Sequence, residues 1–308
     1  MQQPTYFYCV FSFGRQQARK TNLSKNILSN QYQNESVSDV KAISSSHACN
    51  ATIITAYYKI PSKRSHEEYL SFMENFLTIQ DCLVVFTTPD QELTILALRP
   101  PAYPIIVIPT LIQSFLVSEI VSSSEWEKQE KMDNEQGIGH NRDLYSVWNE
   151  KTNMMKIVSD LNPYLSSYFI WLDIGAVRQP GYNHQQMVHK IPDEKGVLLL
   201  ILEEFTEEEK TLTDGKSSAD FSHLVRLGGG TIGAGKESLD LWHTAFYRTM
   251  RNYLEEERFI GKDQNIMATT CLESDMCLLV QGQGDWFRMQ PWLRGEVEEG
   301  YTRLDVTS

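Results

Sequence analysis

The feature that most constrains this chain is an alternation of short apolar runs with helical stretches between residues 52 and 109. Residues 52–58 (TIITAYY), 82–87 (CLVVFT) and 105–109 (IIVIP) are rich in β-branched and aromatic side chains and read as strands. Residues 66–77 carry helical spacing, and Ser65 with Glu68 three positions on predicts a capping box at the helix start. A second, short helix is expected after Pro89, to about Leu98. Strand, helix, strand, helix, strand at this spacing implies crossovers between parallel neighbours, since tight hairpins have no room for the helices. The predicted class is α/β, a doubly wound and mostly parallel sheet. Its first half reads as a Rossmann-type nucleotide-binding unit.

Downstream, the chain is organised around residues 164–178, YLSSYFIWLDIGAVR. The apolar run 168–172 reads as a buried strand and ends abruptly at Asp173, with Gly175 and Arg178 following. Ligands of open α/β sheets bind at the carboxyl ends of strands, so an acid there can hold a divalent cation or a sugar hydroxyl. It can equally cap the next turn. Residues 141–161 place Leu144, Val147, Trp148, Met154, Ile157, Val158 and Leu161 at mostly helical intervals, with Arg142, Asn149, Lys151 and Lys156 on or near the other faces. Residues 197–202 (VLLLIL) predict another buried strand, and 212–222 a mobile polar loop. Residues 227–235 (LGGGTIGAG) read as a Gly-dense turn feeding a helix over 236–256. A helical stretch over 262–271 and a last strand over 277–280 follow. Trp286, Phe287, Trp292 and Arg294 form a cluster suited to covering a cleft. Residues 1–50 are expected to be a disordered lead or stem, because 14–50 are polar and aperiodic, and 51–308 a single domain.

Charge narrows the function. Forty acids against 28 bases give a net charge of −12, which speaks against a nucleic-acid partner. A negatively charged substrate must therefore meet local bases or a bound metal. No run of about 20 apolar residues is present to span a bilayer. The compartment stays open. The five cysteines include no CxxC pair, which argues against zinc ribbons and redox pairs, and Cys82 and Cys277 read as small core residues. The seven histidines show no HExxH spacing. Residues 230–237 nearly match a P-loop, but Glu237 stands where a Mg²⁺-binding hydroxyl is required. Asp263 and Gln264, at a predicted helix start, suit hydroxyl-rich ligands, although Asp263 also suits a simple N-cap.

Taken together, four segments resemble the HtrL/YibB-like family of glycosyltransferases. They are Tyr145-Ser-Val-Trp148-Asn149-Glu-Lys151, residues 162–178 with Asp173 and Gly175, Gly228-Gly229-Gly230, and Phe259-Ile-Gly261-Lys262-Asp263-Gln264. The likeness runs over roughly residues 51–295. It implies a GT-A-like fold that transfers a sugar from a nucleotide sugar to a glycan-type acceptor hydroxyl, with Mn²⁺ or Mg²⁺ as cofactor. Within it, Asp173 takes the place of a D-x-D metal motif, with Gly175 replacing the second acid. Asn149, Lys151, Asp173, Gly175, Arg178, Gly229, Gly230 and Lys262 become candidates for donor binding. Asp263 and Gln264 resemble the D-Q pair of retaining galactosyltransferase-type families and become the catalytic candidates. No histidine follows His243 to act as a late metal ligand, and Asp285 is the substitute considered. The incomplete D-x-D keeps open a catalytically inactive nucleotide- or sugar-binding protein, and a metal-dependent phosphohydrolase is the third reading.

Overall fold

The computed structural model describes residues 48–178, 180–222 and 224–306. The stem expected over 1–50 lies almost entirely outside the described residues. Strands β1 (Ala51–Tyr57), β2 (Cys82–Thr87) and β3 (Ile105–Pro109) are parallel, as their intervening helices require, and β4 (Tyr168–Leu172) pairs in parallel on the other side of β1. Strand β5 (Val197–Ile201) is followed by a small hairpin, β6 (Leu212–Thr213) and β7 (Lys216–Ser217). Strands β8 (Leu227–Gly235), β9 (Cys277–Gln281) and β10 (Thr302–Arg303) complete an eight-stranded sheet in the order β10-β9-β5-β8-β4-β1-β2-β3. Within it, β8 and the edge strand β10 run antiparallel to their neighbours.

Successive strand residues point to opposite faces, and both faces are covered, which is why the strands read as unbroken apolar runs. Helices α1 (His66–Phe76) and α2 (Glu92–Leu98) cover one face with Met73, Phe76 and Ile95 against Ile53, Leu83, Val85 and Ile170. The Ser65–Glu68 capping box starts α1 as predicted. The other face receives α3 (Leu116–Ile120), α4 (Ser123–Met132), α5 (Arg142–Leu161), α6 (Lys236–Glu255) and α7 (Asp263–Leu272). Near the C-terminus α8 (Met289–Leu293) returns Trp292 to the first face. No helix among the described residues is long and apolar enough to cross a membrane.

Three expectations need correction. The Gly-rich segment 227–235 is a nine-residue strand in the middle of the sheet and not a turn. Glycine ordinarily weakens strands, but here it makes room: a Cβ at Gly233 would lie 3.0 Å from the Tyr168 ring. The 212–222 segment is not an irregular loop but carries a hairpin. Its hairpin packs against α7, Ser217 N–H donates to Glu273 and Phe221 is fully buried. None of its described residues lines the cleft described below.

The cysteines also pair. Cys82 and Cys277 are buried, but in disulfides, Cys49–Cys82 and Cys271–Cys277. The first closes 33 positions of chain because β1 and β2 lie side by side, and the second spans the turn from α7 into β9. Neither spacing is a recognisable motif. Replacing Cys49 and Cys82 together by alanine is expected to lower the unfolding free energy by about 2–4 kcal/mol, through loss of the constraint on the unfolded chain. Chemical denaturation reads this directly, and a loss under ~1 kcal/mol would show that the bridge does not constrain the chain.

Candidate active site

The open end of β4 meets the start of α7 at a buried lysine. Asp173 N–H donates to Gly230 O at 2.9 Å, which ties the end of β4 to β8. Trp171 Nε1–H donates to Asp173 Oδ1 at 2.7 Å. Lys151, on the inward face of α5, places its Nζ 3.3 Å from Asp173 Oδ1 and 3.0 Å from Asp263 Oδ2. The same ammonium donates to Gly229 O at 2.8 Å. One cation thus joins two carboxylates and the backbone of β8.

Burial alone would depress the Lys151 ammonium, but the two carboxylates outweigh it and raise its affinity for the proton. Burial pushes the Asp263 carboxyl up, against the pull of that ammonium. Gly229 is required by close approach: a Cβ there would stand 2.8 Å and 2.9 Å from the two Asp263 oxygens. Gly230 and Gly175 are less crowded, since added Cβ atoms would make only ordinary contacts of 3.5–3.6 Å.

This knot lies in a cleft of about 660 Å³ that spans the ends of β1, β4 and β8. Its basic lining residues are Lys63, Arg64, Lys151, Arg178 and Lys262, against the acids Glu135, Asp173 and Asp263. Five bases against three acids give a local positive excess in a chain of net charge −12. Tyr57, Tyr58, Ile60, Leu144, Val147 and Trp148 add an aromatic and apolar wall.

On one rim, Glu135 accepts from Lys262 at 2.5 Å and from Lys63 at 2.6 Å. These two lysines hold its carboxyl down to about 2. Behind it, Asp133 accepts from Tyr145 OH at 2.8 Å and pairs with His140 Nδ1 at 2.7 Å. Asp133, Glu135 and His140 bring potential ligand atoms within 4.8 Å of one another and could hold a metal ion. The sequence reading missed this group. Its only linear signal is the spacing Asp-x-Glu followed by a histidine five positions on, which is not a known ligand motif.

The profile of a family described as "Bacterial protein of unknown function (HtrL_YibB)" matches residues 49–290. The chain belongs to the HtrL/YibB family. No curated protein matches it in sequence. Among solved structures, core-mannan synthase A (CmsA/Ktr4) from Aspergillus fumigatus in its Mn/GDP form is 10% identical, covering 75% of this chain and 72% of that one at a TM-score of 0.41. An active-site mutant of LgtC is 9% identical, covering 75% of this chain and 73% of that one, at a TM-score of 0.39.

In this HtrL/YibB chain the cleft brings together Lys151, Asp173, Gly175, Arg178, Gly229, Gly230, Lys262, Asp263 and Gln264. Gln264 donates its side-chain amide to Leu227 O at 2.9 Å, fixing it to β8. Asn149 is not in the lining. It is fully buried and donates to Tyr145 O and Ile260 O, so it ties α5 to the approach of α7. Arg142 also lies outside the lining, as does Asp285, whose carboxylate accepts from Phe287 N–H within a turn.

Lys151→Met leaves Asp263 buried without its counter-charge. The expected loss of stability at pH 7 is about 3–5 kcal/mol. A carboxyl whose folded pKa is raised is tolerated below its unfolded value and loses stability as pH rises through the folded one. The deficit against the wild type should therefore shrink as pH falls toward 4. Denaturation at pH 4.5 and pH 7 checks this, and a deficit independent of pH would contradict the assignment.

Proposed function

We propose that this chain is a GT-A-like glycosyltransferase that moves a sugar from a nucleoside diphosphate sugar to an acceptor hydroxyl. The observation that carries the reading is the Lys151 ammonium held between Asp173 and Asp263 at the strand ends of a positively lined cleft. The aromatic wall of Tyr57, Tyr58 and Trp148 suits the base, and Lys63 and Lys262 suit the diphosphate. The glycine backbone at 175, 229 and 230 lets the diphosphate approach the sheet.

Asp263 Oδ2 is buried, with Lys151 beside it but no hydrogen bond of good geometry. A donor-sugar hydroxyl supplies that missing bond, so Asp263 orients the sugar. Gln264, held by Leu227 O, stands next to it. In the transfer, the bond from the anomeric carbon to the diphosphate breaks with its electrons on the phosphate oxygen. The acceptor oxygen bonds to that carbon as its proton passes to the leaving phosphate oxygen. Lys151 and Lys262 are pre-placed cations for the charge that develops on the leaving group.

Asp173 fits a divalent cation of limited kind. Its Oδ1 is committed to Trp171 and Lys151, and its side chain is 44% exposed, so one oxygen is left for the cleft. The Lys151 ammonium stands between Asp173 and Asp263, so a cation at Asp173 would be kept from Asp263 by that charge. A single protein carboxylate suits Mg²⁺ or Mn²⁺ whose other ligands are substrate phosphates and water. Such an ion, when bound, neutralises diphosphate oxygens as a Lewis acid.

This reading predicts that metal and nucleotide bind together. In the full chain, UDP or GDP with Mn²⁺ is expected to raise the melting temperature by several degrees, since a ligand at 100 times its Kd adds about 2.7 kcal/mol. Mn²⁺ and nucleotide together should raise it by more than the two separate shifts combined, and Asp173→Ala should abolish that excess. No rise with either nucleotide, under Mg²⁺ or Mn²⁺, would sink the proposal.

A further inference from the structure

The far side of the cleft holds a guanidinium that forms no ion pair among the described residues. Arg178 donates Nε–H to Gly175 O at 3.2 Å, and no other hydrogen bond or ion pair reaches it among the described residues. Its guanidinium carbon lies 5.3 Å from the centroid of the Phe72 ring and 4.5 Å from that of Phe287. Arg64 lies on the same Phe72 ring at 5.4 Å and has its own partner, Glu68, at 3.0 Å. Contact with two rings and the Nε–H bond restrain Arg178, and its terminal N–H groups, which make no hydrogen bond to described residues, suit a planar or tetrahedral oxyanion.

The cleft that holds Arg178, with Phe287 against it, exposes apolar side chains to water. Trp286 is 50% exposed, Phe287 38% and Val225 36%, and all three line the cleft. Exposed aromatics grouped at a cleft mouth mark a binding surface. An aromatic face with a charged fork beside it matches a sugar ring that carries an acidic group: the ring lies on the indole, and the acid meets the guanidinium. The cations of the opposite rim, Lys63 and Lys262, are gathered on Glu135 and share no contact with Arg178. The two anion-binding ends of the cleft are thus separately built.

We propose that Arg178 and Trp286 form the acceptor subsite, and that the acceptor is a saccharide bearing a carboxylate or sulfate. This assignment rests on the transferase reading for the word acceptor, but not for the binding itself. It moves Arg178 from the donor role expected of it to the other substrate.

The test uses the full chain and saturation-transfer NMR titrations with methyl β-glucuronide, methyl glucoside 6-sulfate, neutral methyl β-glucoside, UDP and GDP. One or both acidic sugars should bind about tenfold more tightly than the neutral one, as a charge-assisted fork implies. Arg178→Lys keeps the charge and loses the fork. It should remove most of that preference while leaving nucleotide affinity within about twofold. Trp286→Ala should weaken acidic and neutral sugars alike. Unchanged melting temperatures of both variants establish that they fold. Equal binding of acidic and neutral sugars overturns the proposal, as does an Arg178→Lys variant that weakens UDP or GDP instead, which would make the fork a donor-phosphate site. If no nucleotide binds the wild type but the acidic sugar does so through Arg178, the subsite stands and the transferase reading falls.

Discussion

The interaction on which the site depends is the burial of one lysine between two aspartates. Lys151 and Asp263 are taken out of water and tolerated only together, because each alone would carry a large desolvation penalty, and the partly exposed Asp173 adds a second counter-charge. Lys151 therefore does more than pair charges. By reaching Asp173 at the end of β4, Asp263 at the start of α7 and Gly229 O on β8, it holds three separate elements in one register. The packing around it agrees. Gly229 has no side chain to strike Asp263, and Trp171 turns its indole N–H onto Asp173. A site built in this way is preorganised before any ligand arrives.

Much of the fold was legible because a sheet covered on both faces writes its strands as continuous apolar runs. The runs at 52–58, 82–87, 105–109 and 168–172 became β1 to β4, and the Ser65–Glu68 box began α1. What stayed hidden depended on contacts between distant residues. β8 was obscured because its glycines are chosen for what packs against them, Tyr168 and Asp263, and not for strand propensity. The disulfides were obscured because only the side-by-side pairing of β1 and β2 brings Cys49 to Cys82. Lys151, buried on α5, reads by spacing alone like any lysine on a solvated helix face, and only the family resemblance made it a donor-binding candidate.

The candidate site divides along the same line. Asp173 was legible because an acid at the end of a buried strand is conspicuous. Asp263 and Gln264 were legible only through the resemblance to a family, since alone they pass for a helix cap. Asn149 matched the same segments but serves the junction of α5 with the residues before α7. The rim network of Asp133, Glu135 and His140 had no recognisable motif, and Lys63 and Lys262, which complete it, come from opposite parts of the chain.

The central claim is that the cleft consumes a sugar donor and does not merely bind one. The most direct measurement is the release of free nucleoside diphosphate from a series of UDP- and GDP-sugars incubated with the purified chain and Mn²⁺. The account predicts steady turnover of one donor, lost in Asp263→Asn while nucleotide binding persists. Bound nucleotide with every donor left intact would contradict it and leave a sugar-nucleotide-binding protein in its place.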